Sequence, residues 1–344
     1  MRRPTIADLA QEAGVSVSTV NRILAGSAQV RGTTMQRVQS AAEKIGFYGV
    51  GAIEDRLRKT VPNYRLGFLL QQSSREIYQL FGKNIIAACR SRRDEVIDPV
   101  VEYVDLLSPE HISERLLDLG RQVDAVAVIA ADHPLIAQTI RSLHEEGKPT
   151  ICYITDQTAP ERAAFVGTDN WKLGRTAGWL ITQMSAKPGR IAVYIGHHRY
   201  HCQDMADAGM RSFIRENAPH LTVDETRTTH EDSEIAYRLV SELLETSDDV
   251  IGILKLGGGI SGVLRALREA PAKKRQNIRL ICRDIGPAIR IGLSEGIITA
   301  ALCHSLTATP ELLVATMIEA TDPTNQTVSQ QRTLPFEIVT PESI

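Results

Sequence analysis

Asn21 and Arg22 stand side by side near the start of the chain, just after Ser16, Val17, Ser18 and Thr19. These residue types can read double-stranded DNA. A guanidinium fork matches the guanine edge in the major groove, and an Asn amide suits adenine or a phosphate. Ser16 and Thr19 hydroxyls suit phosphate oxygens, and Val17 and Ser18 project from the same end. A second kind of chemistry recurs where polar residues directly follow apolar runs. Gln71, Gln72 and Ser73 follow "LGFLL", with Tyr78 close behind; His197, His198, Arg199 and His201 follow "RIAVYIG". Arg283 and Asp284 follow "RLIC", and His304 follows "IITAALC". A carboxylate accepts hydroxyl hydrogen bonds and an Arg donates a fork of them, a combination suited to a sugar, polyol or sugar acid. Trp171 can stack on the apolar face of a sugar.

Each of these has a plainer alternative. The His197-His198-Arg199 run also reads as an ordinary surface loop, Asp284 as the cap of a helix starting near Pro287, and Trp171 as packing. The histidines have no carboxylate placed to share a metal, so no metal or cofactor is expected. "GGGISG" lacks the Lys-Ser/Thr of a phosphate loop and fits a tight strand-to-helix turn beside a ligand or interface. No nucleophile elbow or paired-carboxylate motif is present, so an enzyme is not expected.

The elements that must position these residues change character along the chain. In "TIADLAQEA", Ile6, Leu9, Ala10 and Ala13 keep helical spacing; Thr5 and Asp8 form a capping-box pair, and Gly14 is a stop. Ser16 can cap a second helix, about 17–24, that carries Val17, Val20, Ile23 and Leu24 and ends at Gly26. A third, about 33–45, carries Met35, Val38, Ala41, Ala42 and Ile45. Helix, glycine turn, helix is the helix-turn-helix arrangement, whose second helix enters the major groove.

From Arg65 onward, buried-strand runs ("RLGFLL", "AVAVIA", "TICYI", "AFVG", "RIAVYIG", "VIGILKL", "IRLIC", "IITAALC") alternate with amphipathic stretches. That alternation predicts parallel sheets with helices on both faces, and its length predicts two doubly wound α/β lobes. Ligands then bind between lobes at the carboxyl ends of strands. The expected organisation is residues 1–48 as a headpiece, 49–64 as a hinge or linker, and 65–344 as an effector-binding and dimerisation domain.

Composition agrees with a soluble protein: 43% hydrophobic and 23% charged residues in 344. No apolar run approaches the roughly 18 residues of a membrane span, and the N-terminus lacks the apolar core of a secretory signal. Five scattered cysteines without a CxxC pair suggest neither zinc nor a disulfide framework. A cytoplasmic location is expected. Residues 1–65 carry 10 Lys/Arg against 5 Asp/Glu, a balance of +5, whereas the rest balances at −7. Only the first segment is expected to meet a polyanion.

"TIADLAQEAGVSVSTVNRILAGSAQVRGTTMQRVQSAAEKIGF" resembles the DNA-binding headpiece of the lactose-repressor (LacI/GalR) family. The match runs through Thr5, Ala7, Ala10, Ala13–Ser16, Thr19, Val20, Arg22 and Leu24, then Val30, Val38, Ala42 and Ile45–Phe47. The resemblance implies a core like the periplasmic sugar-binding proteins, two α/β lobes joined by three crossovers. It also implies DNA contacts from Thr5, Ser16, Val17, Ser18, Thr19, Asn21 and Arg22. Asp169, Asn170 and Gly174 match the family's Asp-Asn-x-x-Gly pattern, Asp284 its ligand-binding Asp, and His304 a crossover contact. Strand-end position and the resemblance together give the expected ligand set as Gln72, Ser73, Tyr78, Asp169, Trp171, His198, Arg199, Asp284 and His304.

Three departures stand out. In the family the hinge segment forms a minor-groove helix whose Leu, here Leu57, wedges between bases; Gly49 and Gly51 weaken such a helix by roughly 1 kcal/mol each, and Glu54 lies close to phosphate. The Asp usual after the strand ending near residue 256 is replaced by glycines. The position of the family's ligand-binding Arg is Ala206, leaving Arg199 as the Arg available in that segment. The implied function is a transcriptional repressor, a homodimer on a pseudo-palindromic operator, controlled by a sugar-like effector and without a membrane partner. A carbohydrate-binding transport protein and an α/β enzyme are the alternatives.

Overall fold

Thr5 starts the first helix, α1 (Ile6–Ala13), as anticipated. Its hydroxyl accepts from the Asp8 N–H at 3.3 Å, while Asp8 accepts from the Thr5 N–H at 2.7 Å. Left-handed Gly14 (φ 61°) ends α1, and α2 (Val17–Ala25) and α3 (Gly32–Ile45) follow. This computed structural model describes residues 3–25, 30, 32–51, 53, 61–185, 187–325 and 329–344. Leu9, Val20, Ile23, Val38, Ala42 and Phe47 close a small core, and Arg37 donates to the Ala13 carbonyl at 2.7 Å to seal the end of α1.

Just past α3, the Ile53 N–H reaches the Gly49 carbonyl at 3.2 Å, and Ile53 is fully buried in that same core. A helical turn therefore forms despite the two glycines expected to weaken it. A Cβ on Gly49 would come within 2.8 Å of the Phe47 ring, so this glycine permits a close approach. Gly26, Glu54 and Leu57 lie outside the described residues.

One compact unit comprises Met1–Arg65 with Cys89–Pro99; the other comprises Leu66–Ala88 and Val100–Ile344. The first α/β stretch contributes β1 (Asn63–Gln71), α4 (Glu76–Ser91), β2 (Val96–Val104), α5 (Pro109–Gln122), β3 (Ala125–Val128), α6 (Pro134–Glu145), β4 (Thr150–Tyr153) and β5 (Ala164–Thr168). The second contributes α7 (Asn170–Met184), β6 (Arg190–Ile195), α8 (His201–Asn217), β7 (Thr222–Val223), β8 (Arg227–Thr228), α9 (Ser233–Thr246), β9 (Val250–Lys255), α10 (Ile260–Glu269), α11 (Ala272–Arg275), β10 (Arg279–Arg283), α12 (Pro287–Ser294) and β11 (Ile298–Cys303). After these come α13 (Ala308–Ala320), β12 (Gln330–Leu334) and β13 (Glu337–Val339).

Two sheets result, in the orders β12-β5-β4-β3-β1-β2 and β13-β11-β10-β9-β6-β7, with β8 also on β6. The central pairs are parallel, as in β1 on β3 with Leu66 opposite Ala125. Only a crossover can place parallel strands side by side, and the intervening helices supply it. The chain passes between lobes three times: from β5 to α7, from β11 to α13, and from β12 to β13. Alternate residues of β6 face opposite cores, Ile191 and Val193 one way and Ala192 and Tyr194 the other, as in a sheet covered on both faces. The strands absent from the expectation (β2, β7, β8, β12, β13) are short or at sheet edges. β2 carries Pro99, which edge strands tolerate, and is mostly half-buried.

The α7–α8 contact explains one departure. A Cβ on Gly174 would overlap the Ala206 carbonyl, and one on Gly209 would overlap the Trp171 carbonyl. Ala206 is fully buried in this contact, so an Arg has no room there.

Candidate functional site

On α2, Val20 and Ile23 are buried whereas Val17, Ser18, Asn21 and Arg22 are exposed. Positions 17, 18, 21 and 22 share one helical face, so the residues with DNA-reading chemistry form a single outward surface. Ser16 holds the start of that surface: its hydroxyl accepts from the Thr19 N–H at 3.2 Å and lies 2.8 Å from the Thr19 hydroxyl and 2.9 Å from that of Ser18. Thr5 is half-buried, its hydroxyl donating to Asp8.

Between the two sheets lies a cavity of about 420 Å³. From the first lobe it is lined by Arg75 just before α4, Tyr78 and Phe81 of α4, Ile129 after β3, and Ile154 and Thr155 after β4. The second lobe brings Tyr200, Cys202 and Gln203 at the start of α8, Glu231 after β8, the glycine turn after β9, Arg283 at the end of β10, and Asp284, Ile285 and Ile289 beyond it. Among the described residues, every non-glycine with positive φ lies just beyond a strand end facing this cleft: Gln72 (40°), Ile154 (68°), His230 (51°), Glu231 (62°) and Asp284 (61°). Such conformations are held only where the surroundings over-determine them, and they cluster at ligand sites.

The lobes are tied across the cleft by polar contacts. Arg75 Nη1 donates to Glu231 Oε2 at 2.6 Å and to Gln72 Oε1 at 3.0 Å. Tyr78 and Tyr200, one from each lobe, both donate to Gln71 Oε1 at 3.1 Å. Glu231 accepts further from Gln203 Nε2 at 3.0 Å and the Gly258 N–H at 2.5 Å. Burial raises the Glu231 carboxyl, but Arg75, Lys255 and these hydrogen bonds outweigh it and hold the group below its ordinary value. Fully buried Lys255 donates to the Leu256 carbonyl at 2.5 Å; burial lowers it to about 8, partly opposed by Glu231.

At the far side, Asp284 Oδ1 accepts from the His304 N–H at 3.0 Å and from His304 Nδ1 at 2.7 Å. Arg283 Nη2 donates to His304 Nε2 at 2.7 Å and to Thr168 at 2.8 Å. These partners fix a neutral imidazole that donates from Nδ1 and accepts at Nε2. Burial and Arg283 lower the His304 pKa against the pull of Asp284. Burial raises Asp284, yet its contacts with His304 and Arg283 prevail, leaving it ionised far below the usual carboxylate range.

Of the residues singled out in the sequence, Tyr78, Arg283 and Asp284 line the cavity, and His304 lies directly behind Asp284. Gln72 supports Arg75. The others sit outside the lining. Ser73 bonds Asp105 at 2.7 Å, and Asp169 caps α7 through the Lys172 N–H at 3.0 Å. Trp171 is 38% exposed beside the α7–α8 contact. Exposed His198 pairs with Asp204 at 3.2 Å. Arg199 joins the lobes at the rim, its carbonyl accepting from the Asp132 N–H at 2.8 Å and its guanidinium reaching the Asp132 carbonyl at 3.4 Å.

Sequence reasoning missed Arg75, Phe81, Tyr153, Tyr200, Gln203 and Glu231, which come together only in three dimensions. The Glu231 carboxylate lies against the β9 turn: Gly257 and Gly258 leave room for it, and Gly258 donates to it. Among the described residues, no three His, Cys, Asp or Glu side chains are grouped to hold a metal ion, and no helix is long and apolar enough to cross a membrane.

Comparison with known proteins agrees with this geometry. Residues 5–49 match the model of bacterial regulatory proteins of the lacI family, and residues 66–322 match a periplasmic binding protein domain. Both are regulatory or binding families rather than enzyme families. No curated protein matches the chain significantly. Among solved structures, a glucose-galactose binding protein, GanP, from Geobacillus stearothermophilus is 16% identical, with a TM-score of 0.73 over 82% of this chain and 99% of its own. An Agrobacterium vitis transporter solute-binding protein bound with α-D-tagatopyranose is 16% identical, at 0.70 over 81% and 95%. A Bacillus halodurans solute-binding protein with bound myo-inositol is 18% identical, at 0.67 over 82% and 96%. At such identities the likeness concerns the fold. With the headpiece model at one end and the binding-protein model over most of the remainder, the chain belongs to the lacI family of bacterial regulatory proteins.

Proposed function

We propose that the chain is a transcriptional repressor whose grip on its operator is set by a small sugar-like molecule held between the two lobes. The observation that carries this is the pairing, in one chain, of an exposed DNA-reading face on α2 with an aromatic, charge-lined cleft. The sugar and cyclitol bound by the fold relatives support the ligand class. Arg22 reads guanine, Asn21 adenine or phosphate, Ser16 and Thr19 phosphate, with Thr5, Val17 and Ser18 around them. A homodimer places two headpieces on two half-sites of a pseudo-palindromic operator. In the cleft, Tyr78, Phe81 and Tyr200 cover the ligand's apolar faces, while Arg283 and Asp284 meet its polar groups.

Ligand and operator are then linked reciprocally, typically by about 1–3 kcal/mol. Fluorescence anisotropy of an operator selected from random duplex DNA, titrated with a panel of sugars, polyols and sugar acids, tests the reading. An effector should move the operator Kd by about 5- to 150-fold. A protein that binds a ligand in the cleft with no change in operator Kd is not a ligand-controlled regulator.

A further inference from the structure

Among the described residues, three buried polar atoms around the cleft have no hydrogen-bond partner: Gln71 Nε2, the Tyr153 hydroxyl and Arg283 Nη1. Their side chains are deeply buried, Gln71 at 0%, Tyr153 at 1% and Arg283 at 9% exposure. They gather around one ring. Phe81 lies 5.9 Å from Tyr153, 6.2 Å from Tyr78 and 6.2 Å from His304. Tyr78 is bonded to Gln71, and His304 to Arg283. A buried donor left unsatisfied is destabilising, so three such donors, Arg283 in the cavity lining and Gln71 and Tyr153 behind the lining residues Tyr78 and Phe81, point to something that satisfies them.

All three atoms can donate a hydrogen bond. The buried carboxylates of the cleft are largely taken by the protein: Glu231 by Arg75, Gln203 and Gly258, and Asp284 Oδ1 by His304. Asp284 Oδ2, 3.8 Å from Arg283 Nε, faces the remaining demand. A neutral sugar brings one proton with every hydroxyl and needs an acceptor for each. A carboxylate brings acceptor lone pairs and no proton.

Charge limits the anion's size: Arg75, Lys255 and Arg283 are balanced by Glu231, Asp284 and the exposed Glu76 at the cavity wall, a neutral surround that admits a monoanion more readily than a phosphate dianion. Resting on the reading that the cleft holds the effector, we propose that this effector is a polyhydroxylated monocarboxylate, an aldonate or uronate. Its carboxylate seats on Arg283 Nη1, Gln71 Nε2 and the Tyr153 hydroxyl, and its hydroxyls face Asp284.

The test is calorimetric titration of the full chain with gluconate, glucuronate and galacturonate beside glucose, galactose, sorbitol and glucose 6-phosphate. The acids should bind about 10- to 150-fold more tightly than their neutral counterparts, the range of one charged hydrogen bond. Gln71→Glu has the same shape but opposes an anion, and should remove that preference. Tyr153→Phe deletes a hydroxyl that has no partner to lose, so it folds, and it should weaken the acids selectively.

Equal affinity for acids and neutral sugars, acid affinity indifferent to both substitutions, or tighter binding of the sugar phosphate would each overturn the carboxylate seat while leaving a sugar-binding cleft. No binding by any compound of either class would overturn the cleft reading as well.

Discussion

The α2 face and the interlobe cleft solve opposite problems. On α2 the functional side chains are exposed, adjacent in sequence and supported by a core of small size. In the cleft they are buried, drawn from five strand ends, helix α4 and the start of α8, and joined to one another before any ligand arrives. Arg75 meets Glu231 across 156 residues, and Tyr200 meets Gln71 across 129. The headpiece side chains are thus separable from the frame that carries them, whereas the cleft side chains are part of theirs.

The largest expected effect tests that inseparability. Asp284→Ala removes a buried anion held by His304 and Arg283 and should destabilise the chain by about 3–5 kcal/mol, measured by urea denaturation. Arg22→Ala should change stability by no more than about 0.5 kcal/mol. Equal losses would erase the contrast.

Glu231→Gln should have a smaller effect, about 1–3 kcal/mol at neutral pH, because an amide oxygen remains for Gly258. The sign with pH follows from a folded-state pKa held below its ordinary value. The stability due to the Glu231 charge is fully present above that ordinary value and is lost as pH falls through the lower, folded one. Denaturation midpoints of wild type and Glu231→Gln should therefore converge in acid. A gap independent of pH would show that shape rather than charge matters there.

Function separates the regions in the other direction. Arg22→Ala should cost about 1–3 kcal/mol of operator affinity and relax base preference at one position per half-site, read by anisotropy on an operator substitution series. A uniform loss across sequences would make Arg22 a phosphate contact. Smallest of all, Ser16→Ala should lose about 1 kcal/mol of stability through the cap of α2. A thermal-melting difference of zero would mean that Ser18 and Thr19 hold the turn without it.

The same contrast explains what the sequence disclosed. The capping pair Thr5–Asp8, the Gly14 stop and the buried stripe on α2 depend on neighbours within a few residues, so local pattern sufficed. Strands buried on both faces were visible as apolar runs, but β2 and β12, half-buried at sheet edges, carry no such run. In the cleft, position after a strand was enough to find Tyr78, Arg283 and Asp284. It was not enough for Glu231, which follows the two-residue β8, nor for Arg75 or Tyr153, whose roles arise from partners far along the chain. His198 and Arg199 satisfied the positional rule yet point to the rim, because Tyr200 and Gln203 of the same segment occupy the interior.

The left-handed residues at the strand ends bear on how this binding site can change over generations. At Ile154, Glu231 and Asp284 the backbone itself disfavours most replacements, and Gly, Asn and Asp are the types that accept such φ values most readily. Drift at these positions is therefore narrow. Tyr78 and Phe81 sit on the regular helix α4, where almost any side chain is conformationally admissible. New effector preferences should arise first along α4, by exchange of the side chains that cover the ligand, while the turns keep the mouth of the cleft in shape.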